Sequence, residues 1–171
     1  MNGLIHLYVG DGKGKTTAVT GLAVRAAGHS LRVIFAQFLK NGSSGELAAL
    51  SKLGVTLIDA EECFGFTFSQ DEETRLRCRK EQERRLNKVR AFLDEAMADL
   101  VVLDEVLDAL RTGMLDEDAL RSFLENTQVE FALTGRSAPA WLIERAAYIS
   151  EIRKIKHPFD CGIQARIGIE R

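Results

Sequence analysis

The sequence predicts an α/β fold in which helices flank a mostly parallel central sheet, and two observations predict it. Short apolar, β-branched runs recur along the 171 residues and alternate with segments of helical spacing. A glycine-rich loop follows the first run directly, where a strand would pass into a helix. No repeat, low-complexity tract or linker divides the chain, so we expect residues 1–171 to form a single domain.

Each apolar run is expected to form one strand of the sheet. The runs occupy residues 4–9, 31–38, 55–58, 100–103 and 129–133. The run at residues 100–103 is apolar at every position, which is typical of a strand that helices cover on both faces. We therefore expect this strand to be central.

Two helices are the clearest. The first should begin inside the glycine-rich loop and end at Gly28, since glycine commonly follows the last helical residue. The second should occupy the charged segment 71–99, whose apolar residues at helical spacing are Leu86, Val89, Leu93 and Met97. We interpret the basic residues of this segment as a solvated helix face, although they could also bind an anion. They are Arg75, Arg77, Arg79, Lys80, Arg84 and Arg85.

Composition excludes several classes of protein. A net charge of −2 argues against a surface that binds nucleic acid. The three cysteines have no C-x-x-C spacing and an odd count, which argues against a disulfide framework and a zinc site. No apolar run approaches the ~20 residues needed to span a bilayer. We expect a soluble, cytoplasmic protein that does not associate with membranes.

The stretch YVGDGKGKTT is typical of a phosphate-binding loop, or P-loop. Gly10, Gly12 and Gly14 would let backbone N–H groups turn around an anion, and the start of the first helix adds a partial positive charge. Lys15 would supply a charge to the phosphates and Thr16 a hydroxyl to a magnesium ion. A plain glycine-rich turn is the alternative, but the strand–loop–helix context favours nucleotide binding.

The spacing of this loop is unusual. The pattern G-x-x-x-x-G-K-[ST] would place its first glycine at position 9, which is Val9, and Gly10 comes one residue late. Three residues separate Gly10 from Gly14 where the standard loop has four, so the phosphates should be held differently.

The segment VVLDE places Asp104 and Glu105 directly after the central strand. A carboxylate in this position commonly holds magnesium or its waters. An acidic pair after a strand can also cap the following helix. Together with the glycine-rich loop, the pair favours a metal site.

Six motifs together make the sequence resemble the ATP:corrinoid adenosyltransferases. They are GDGKGKTTA, QFLKNGSSGE, GFTF, VVLDE, LTGR and IRKIKHPFDCGIQARIGIE, in the family's order and across nearly the whole chain. The resemblance implies a RecA-like P-loop fold and two substrates, ATP and a cob(I) corrinoid, with Mg²⁺ or Mn²⁺ as the metal. It implies that Co(I) attacks the 5′ carbon of ATP and that triphosphate leaves.

The resemblance also implies a site, one residue at a time. The nucleotide would be held in reversed sense, with the γ-phosphate where other P-loop proteins hold the α-phosphate. The ATP-binding residues would be Gly10, Asp11, Gly12, Lys13, Gly14, Lys15, Thr16 and Thr17. The metal ligands would be Thr16, Asp104 and Glu105.

Co(I) is itself a strong nucleophile, so the protein needs no general base. Its tasks are to position the substrates and to stabilise charge on the departing triphosphate. Lys15, Lys13 and Arg136 are the expected catalytic residues. Arg136 could instead pair with a carboxylate in a structural role.

Phe66 and Phe68 match the positions with which the family packs the lower face of the corrin ring. Without the resemblance, these aromatic residues would more simply belong to the core. Phe68 stands where the family usually has tryptophan, which affects the expected packing. Cys161 is expected to be a small buried residue, and His157 could either hold the backbone or contact ligand.

The resemblance implies a homodimer and a flavoprotein electron donor. Many relatives cover the corrinoid with an N-terminal extension, which we expect to be missing because this chain reaches its first strand by Leu4.

Two other functions are compatible with GKGKTT and LDE alone. One is a phosphotransferase or ATPase that acts at the γ-phosphate, and the other is a non-catalytic module that binds ATP.

Overall fold

The structure is a computed structural model that describes residues 3–40, 42, 44–60, 71–96, 98–125 and 128–169. Within these ranges six strands form one parallel sheet, and at least one helix lies between each pair of consecutive strands. The predicted α/β class and parallel sheet are therefore confirmed, in an arrangement consistent with a RecA-like P-loop fold.

Strands and helices alternate along the chain, except that two helices lie between β4 and β5. The strands are β1 (Ile5–Val9), β2 (Val33–Gln37), β3 (Thr56–Leu57), β4 (Leu100–Asp104), β5 (Glu130–Gly135) and β6 (Tyr148–Glu151). The helices are α1 (Lys15–Gly28), α2 (Gly45–Lys52), α3 (Glu72–Ala96), α4 (Val106–Arg111), α5 (Glu117–Phe123) and α6 (Ala140–Arg145), and a 3-10 turn spans Pro158–Cys161.

The strand order across the sheet is β3-β2-β4-β5-β1-β6. Because all the pairings are parallel, the carboxyl ends of β1, β2, β4 and β5 meet at one edge of the sheet. The glycine-rich loop, the QFLK segment, the LDE segment and the LTGR segment all leave the sheet at this edge. Four motifs far apart in sequence are thus brought together.

All five predicted strands form, and β4 is central as expected, with every residue buried. The sixth strand was not predicted. All four residues of β6 are exposed, since this strand pairs with β1 and lies at the end of the sheet that the described residues form. A strand without a buried run leaves no apolar signal in the sequence.

The two faces of the sheet have separate cores, because alternate residues of each strand point to opposite faces. One core joins α1 and α2 to Val33, Phe35, Val102 and other strand residues. The larger core joins α3, α4 and α5 to the opposite set of strand residues, including Leu103 and Phe131. Both layers of helices that the fold requires are therefore packed on the sheet.

The two predicted helices form. The first is α1, and the second is α3, which buries Leu86, Val89 and Leu93 as the spacing indicated; Met97 lies outside the described residues. The interpretation of the basic cluster as a solvated face is wrong for Arg85, whose side chain is fully buried together with Glu81. The side chain of Arg85 is buried because it extends from α3 to β2. The spacing of residues along a helix gives no sign of such a contact.

The expectation of a buried Cys161 is also wrong. Its side chain is exposed, because it lies in the 3-10 turn of a C-terminal segment that runs over the surface. Within the described ranges, no helix has both the length and the apolar character needed to cross a membrane.

Candidate active site

The loop between β1 and α1, residues 10–14, is here called the glycine loop. Gly10 and Gly14 have φ angles of 118° and 119°, which L side chains rarely adopt. A Cβ at Gly10 would overlap the carbonyl oxygen of Ile152, and one at Gly12 would come within 2.8 Å of the backbone of Arg153. Two of the three glycines are therefore required because the segment after β6 packs against the loop.

Two backbone N–H groups of the glycine loop are already occupied. Gly10 N donates to Arg136 O at 3.0 Å, and Gly12 N donates to Ile152 O at 2.8 Å. These two N–H groups therefore do not point to an anion in this structure. The first helical bond of α1 runs from Ala18 N to Gly14 O, so the N–H groups of residues 15–17 precede it and are available to an anion.

Lys15 reaches back over the glycine loop. Its Nζ donates to Gly10 O at 2.7 Å and to Gly12 O at 2.9 Å. Burial lowers the pKa of Lys15, and the neighbouring positive charge of Arg136 acts in the same direction, against the carboxylates around it. The ammonium is therefore held beside the helix start by carbonyl groups, which a phosphate could replace.

Thr16 and Asp104 meet as the sequence suggested. Thr16 Oγ1 lies 3.0 Å and 3.1 Å from the two carboxylate oxygens of Asp104, to which it donates. Asp104 is fully buried and also accepts a hydrogen bond of 2.7 Å from Thr134 Oγ1. The first turn of α1 and the carboxyl end of β4 are thus joined directly.

Glu105 takes a left-handed backbone conformation, with φ 59°. Its N–H donates to Thr134 Oγ1 at 2.8 Å, and it precedes α4 without a capping hydrogen bond from its side chain. The side chain of Glu105 therefore does not cap α4, which was the alternative to a metal site. Burial raises the pKa of Glu105, the charge of Lys40 lowers it, and the charge of Asp104 raises it further.

Lys40 and Gln37 belong to the site, although the sequence analysis gave them no role. Lys40 Nζ lies 2.8 Å from Asp104 Oδ2 and 3.4 Å from Glu105 Oε1. Burial alone would lower the pKa of Lys40, but the charges of Asp104 and Glu105 outweigh it and raise the pKa. Gln37 Nε2 donates to Asp104 Oδ2 at 3.1 Å and to Glu46 Oε1 at 2.7 Å.

A signal for these residues was present in the sequence. Gln37 and Lys40 follow a predicted strand in QFLKNGSSGE, and Thr134 lies in LTGR. The strand order was needed to place these residues at the site, because the register of β2 and β4 puts Gln37 opposite Asp104. Neighbouring parallel strands then bring their terminal side chains to one point.

The residues at this point fit a divalent cation. Thr16, Asp104 and Glu105 supply the hard oxygen atoms that magnesium prefers. A positive charge, the ammonium of Lys40, already lies within 3.4 Å of all three side chains. Gln37 Oε1 is buried with no hydrogen-bond partner among the described residues, which leaves a further oxygen acceptor beside Asp104. No cluster of three or more His, Cys, Asp or Glu that could hold a metal is found in the described ranges.

The other predicted site residues are less enclosed. Lys13 and Arg136 are exposed at the glycine loop, and the N–H of Arg136 donates to Asp108 Oδ2 at 3.1 Å. Asp11 is turned to the C-terminal segment, where its Oδ1 accepts from Lys154 N at 2.9 Å. This hydrogen bond lowers the pKa of Asp11. Thr17 is exposed in the first turn of α1.

A groove of about 260 Å³ runs between the glycine loop and the C-terminal segment. Its walls include Lys13 on one side and Phe159 and Ile163 on the other. His157 Nδ1 accepts a hydrogen bond of 3.2 Å from Phe159 N, so His157 holds the backbone of this segment. The groove therefore places an apolar surface beside a loop that offers positive charge.

The model of one protein family, ATP:corrinoid adenosyltransferase BtuR/CobO/CobP, matches residues 1–171. The chain belongs to this family. It is accordingly an enzyme of the transferase class, as the six motifs indicated.

Curated relatives extend the match. The chain is 33% identical to the corrinoid adenosyltransferase of Escherichia coli (strain K12), covering 98% of this chain and 85% of that one. It is 30% identical to the corrinoid adenosyltransferase of Pseudomonas aeruginosa, covering 98% and 83%. It is 31% identical to corrinoid adenosyltransferase CobA of Salmonella typhimurium, covering 98% and 85%. A solved structure of C. elegans PCH-2 covers 84% of this chain and 43% of that chain, with 12% identity and a TM-score of 0.30, which is too low to carry an argument.

Two residues expected from the family pattern are not placed. Phe66 and Phe68, the expected contacts to the lower corrin face, lie outside the described residues. Their role stays a prediction.

Proposed function

We propose that this enzyme transfers the 5′-deoxyadenosyl group of ATP to the Co(I) of a corrinoid and releases inorganic triphosphate. Membership of the family supports adenosyl transfer to a corrinoid. The observation that carries the proposal to particular residues is the hydrogen bond between Thr16 and the buried Asp104, which joins the glycine loop to the acidic end of β4.

The proposed step is a substitution at carbon. The Co(I) electron pair forms a bond to C5′, the bond between C5′ and its ester oxygen breaks, and the triphosphate leaves with that bonding pair. Cobalt thereby becomes formally Co(III). No proton has to be removed to generate the nucleophile, so the protein acts by positioning and by stabilising negative charge.

Lys15, Lys13 and Arg136 are proposed to stabilise the departing triphosphate. Lys15 would exchange its contacts with two loop carbonyls for contacts with phosphate oxygens. Lys13 and Arg136 are exposed at the same loop and can approach a bound anion from its open side. Residues 10–17, which include Asp11 and Thr17, would line the polyphosphate.

Thr16, Asp104 and Glu105 are proposed to hold Mg²⁺ or Mn²⁺. The bound ion would neutralise charge on the phosphates and so stabilise the leaving group. Asp104 is buried and fixed by Thr134, whereas Glu105 is partly exposed, so Asp104 would orient the site and Glu105 would close it towards solvent.

The reversed direction of ATP is part of the proposal. In that orientation the γ-phosphate lies where other P-loop proteins hold the α-phosphate, and the ribose C5′ remains open to the corrinoid. The short spacing of the glycine loop supports it, since Gly10 and Gly12 donate their N–H groups to the protein and leave fewer donors for phosphate. A crystal structure with a bound ATP analogue would decide the direction, and the conventional one would contradict this part.

Phe66 and Phe68 are proposed to contact the lower face of the corrin ring. Phe66→Ala should weaken the spectroscopic signature of four-coordinate Co(II) while leaving ATP affinity unchanged. Phe92→Ala, on the exposed face of α3, is a matched control for the loss of one aromatic ring. Unchanged Co(II) spectra in Phe66→Ala would remove this residue from the proposed site.

Three finer expectations stay predictions: a homodimer and a flavoprotein that supplies electrons, both drawn from relatives, and a location in the cytoplasm, drawn from composition. We also propose that residues 1–171 act as one adenosyltransferase domain. Sedimentation of the purified protein would test the homodimer directly.

One assay tests the reaction itself. The enzyme receives magnesium, ATP and chemically reduced corrinoid without oxygen, and the phosphorus products are identified by ³¹P NMR. Triphosphate in a 1:1 ratio with a new light-sensitive corrinoid is the expected result. ADP or orthophosphate would instead indicate a phosphotransferase or ATPase, and unchanged ATP a binding module.

Lys15→Ala should reduce turnover at least tenfold, because one preorganised donor at developing charge is worth about 3–4 kcal/mol. Lys52→Ala, at the exposed end of α2, is the control and should keep full activity. Full activity of Lys15→Ala would exclude Lys15 from catalysis.

A further inference from the structure

Lys40 is the cation that balances the acidic pair Asp104–Glu105 in this structure. Its Nζ contacts both carboxylates, at 2.8 Å and 3.4 Å, and lies 3.3 Å from Thr16 Oγ1. Because Asp104 is fully buried, water cannot neutralise its charge, and a buried charge without a partner is costly. The ammonium of Lys40 therefore contacts all three side chains that would coordinate the proposed divalent ion.

The backbone that carries Lys40 is held in an unfavourable conformation. Leu39, the residue before it, has φ 56°, in the left-handed region that a bulky side chain rarely adopts. Such a conformation persists only when surrounding contacts fix it. Leu39 N donates to Gln82 Oε1 at 3.0 Å, so a buried side chain of α3 supplies one of these contacts.

Further contacts fix the same turn from both sides. The buried guanidinium of Arg85, also on α3, donates to the carbonyl oxygen of Gln37. From the opposite side, Phe38 N donates to Asp104 O at 2.8 Å. The turn after β2 is thus fastened to α3 and to β4, and its last residue points an ammonium at the acidic pair.

We propose that Lys40 is a positioning residue that holds Asp104 and Glu105 in the metal-free protein and gives up these oxygens when the divalent ion binds. This inference rests on the proposed metal site of the preceding section and assigns a new role at it. Gln82 and Arg85 act through Lys40, because they fix the turn that aims it.

Removal of Lys40 should change the affinity for the divalent ion in the direction opposite to removal of an ordinary metal ligand. In the wild-type protein the divalent ion must displace an ammonium that already neutralises the carboxylates. Removal of that ammonium leaves the two negative charges uncompensated and therefore more attractive to a cation. A variant without the charge should bind the metal ion more tightly, although it loses a residue of the site.

The test compares Lys40→Met with the wild-type protein in a titration with Mn²⁺ alone, followed by electron paramagnetic resonance at fixed pH without nucleotide. We expect the Mn²⁺ affinity of Lys40→Met to be at least about tenfold higher, or about 1.4 kcal/mol. Lys88→Met is the control, because Lys88 pairs with the exposed Asp59 at 2.7 Å, away from the site. Equal or weaker Mn²⁺ binding by Lys40→Met, or the same increase in Lys88→Met, would overturn the proposal.

A second measurement uses the wild-type protein and does not depend on the variant folding. Amines are acetylated briefly, with or without saturating Mn²⁺, and the modified peptides are quantified by mass spectrometry. We expect Mn²⁺ to increase the rate of acetylation of Lys40 at least about threefold and to leave Lys88 unchanged. An unchanged rate at Lys40 in the presence of bound Mn²⁺ would contradict its displacement.

These measurements separate the inference from the proposed reaction, since they contain neither ATP nor corrinoid. If triphosphate is absent from the transfer assay while Lys40→Met binds Mn²⁺ more tightly, the proposed reaction fails and the role of Lys40 stands. If triphosphate forms in the transfer assay but Lys40→Met does not bind Mn²⁺ more tightly, the proposed reaction stands and the role of Lys40 fails.

Discussion

The three glycines of the loop offer a way to separate backbone strain from packing. Gly14→Ala introduces a side chain at φ 119° with no other atom within 4 Å, so it adds strain alone. Gly12→Ala adds a Cβ within 2.8 Å of the backbone of Arg153, without a positive φ, so it adds overlap alone. Gly10→Ala does both, since φ is 118° and its Cβ would overlap the carbonyl of Ile152.

The expected costs follow from these geometries. Strain at a left-handed position costs of order 1–3 kcal/mol, and overpacking costs about 1–3 kcal/mol. We therefore expect losses of about 2 kcal/mol for Gly14→Ala, about 2 for Gly12→Ala and about 4 for Gly10→Ala in the free energy of unfolding. Urea denaturation of the three variants measures these values.

ATP affinity, measured by calorimetry on the same variants, gives a second test. Gly10→Ala and Gly12→Ala should weaken binding, because the loop can accept a Cβ only by separating from the segment after β6. If Gly10→Ala were no less stable than Gly14→Ala, contact with Ile152 would not be the reason for glycine at position 10. That result would refute the packing explanation.

Three further predictions concern buried and paired groups. Thr134→Val should lower the free energy of unfolding, measured by urea denaturation, by about 2–3 kcal/mol. It removes the hydrogen bond to Asp104 and leaves the N–H of Glu105 without its acceptor. Arg85→Met should cost about 2 kcal/mol, because it removes the hydrogen bond to Gln37 O and one of the two arginine partners of Glu81, while Arg84 still pairs with that carboxylate. The Arg32 guanidinium lowers the pKa of Asp99 from 3.8 to about 2, so Asp99 stabilises the fold above pH 3.8 and this contribution is lost as the pH falls towards 2. Asp99→Asn should lose about 1 kcal/mol at neutral pH, after allowance for solvent screening, and show a smaller change in stability between these pH values.

The first two of these predictions have a matched control. Thr20→Val should be neutral or stabilising, because the buried hydroxyl of Thr20 has no hydrogen-bond partner among the described residues. Arg79→Met should cost only about 0–1 kcal/mol, since its pair with Glu83 is exposed. Equal losses in Arg85→Met and Arg79→Met would restore the interpretation of a solvated face. An acid titration of Asp99→Asn that matched the wild-type curve would remove Asp99 from the pH dependence.

Much of the fold could be predicted from the sequence, because the relevant signals are local. An apolar run such as residues 100–103 reports burial on both faces of its own strand, and the helical spacing in α3 reports one buried stripe. The motif GKGKTT after a strand likewise indicates the loop and the helix start together. The edge strand β6 gave no such signal, since none of its residues is buried.

Much of the candidate site could be predicted as well. Lys15, Thr16 and Asp104 were identified from residue type and position, and the structure brings Thr16 and Asp104 into contact. Lys40 was missed, although its motif was noted, because only the pairing of β2 with β4 brings it to Asp104. Arg85 was misinterpreted for the same reason, since its contact on β2 lies 48 positions away.

The sequence by itself determined the class of fold, the glycine loop and the acidic residues opposite it, since each depends on a short pattern of residue types. Only the tertiary structure decided that Gly10 and Gly12 are packed against the C-terminal segment, that Arg85 is buried and that Lys40 balances the acidic pair. The physical reason is that such contacts depend on the order and register of the strands. Those are properties of the whole sheet, and no short window of sequence contains them.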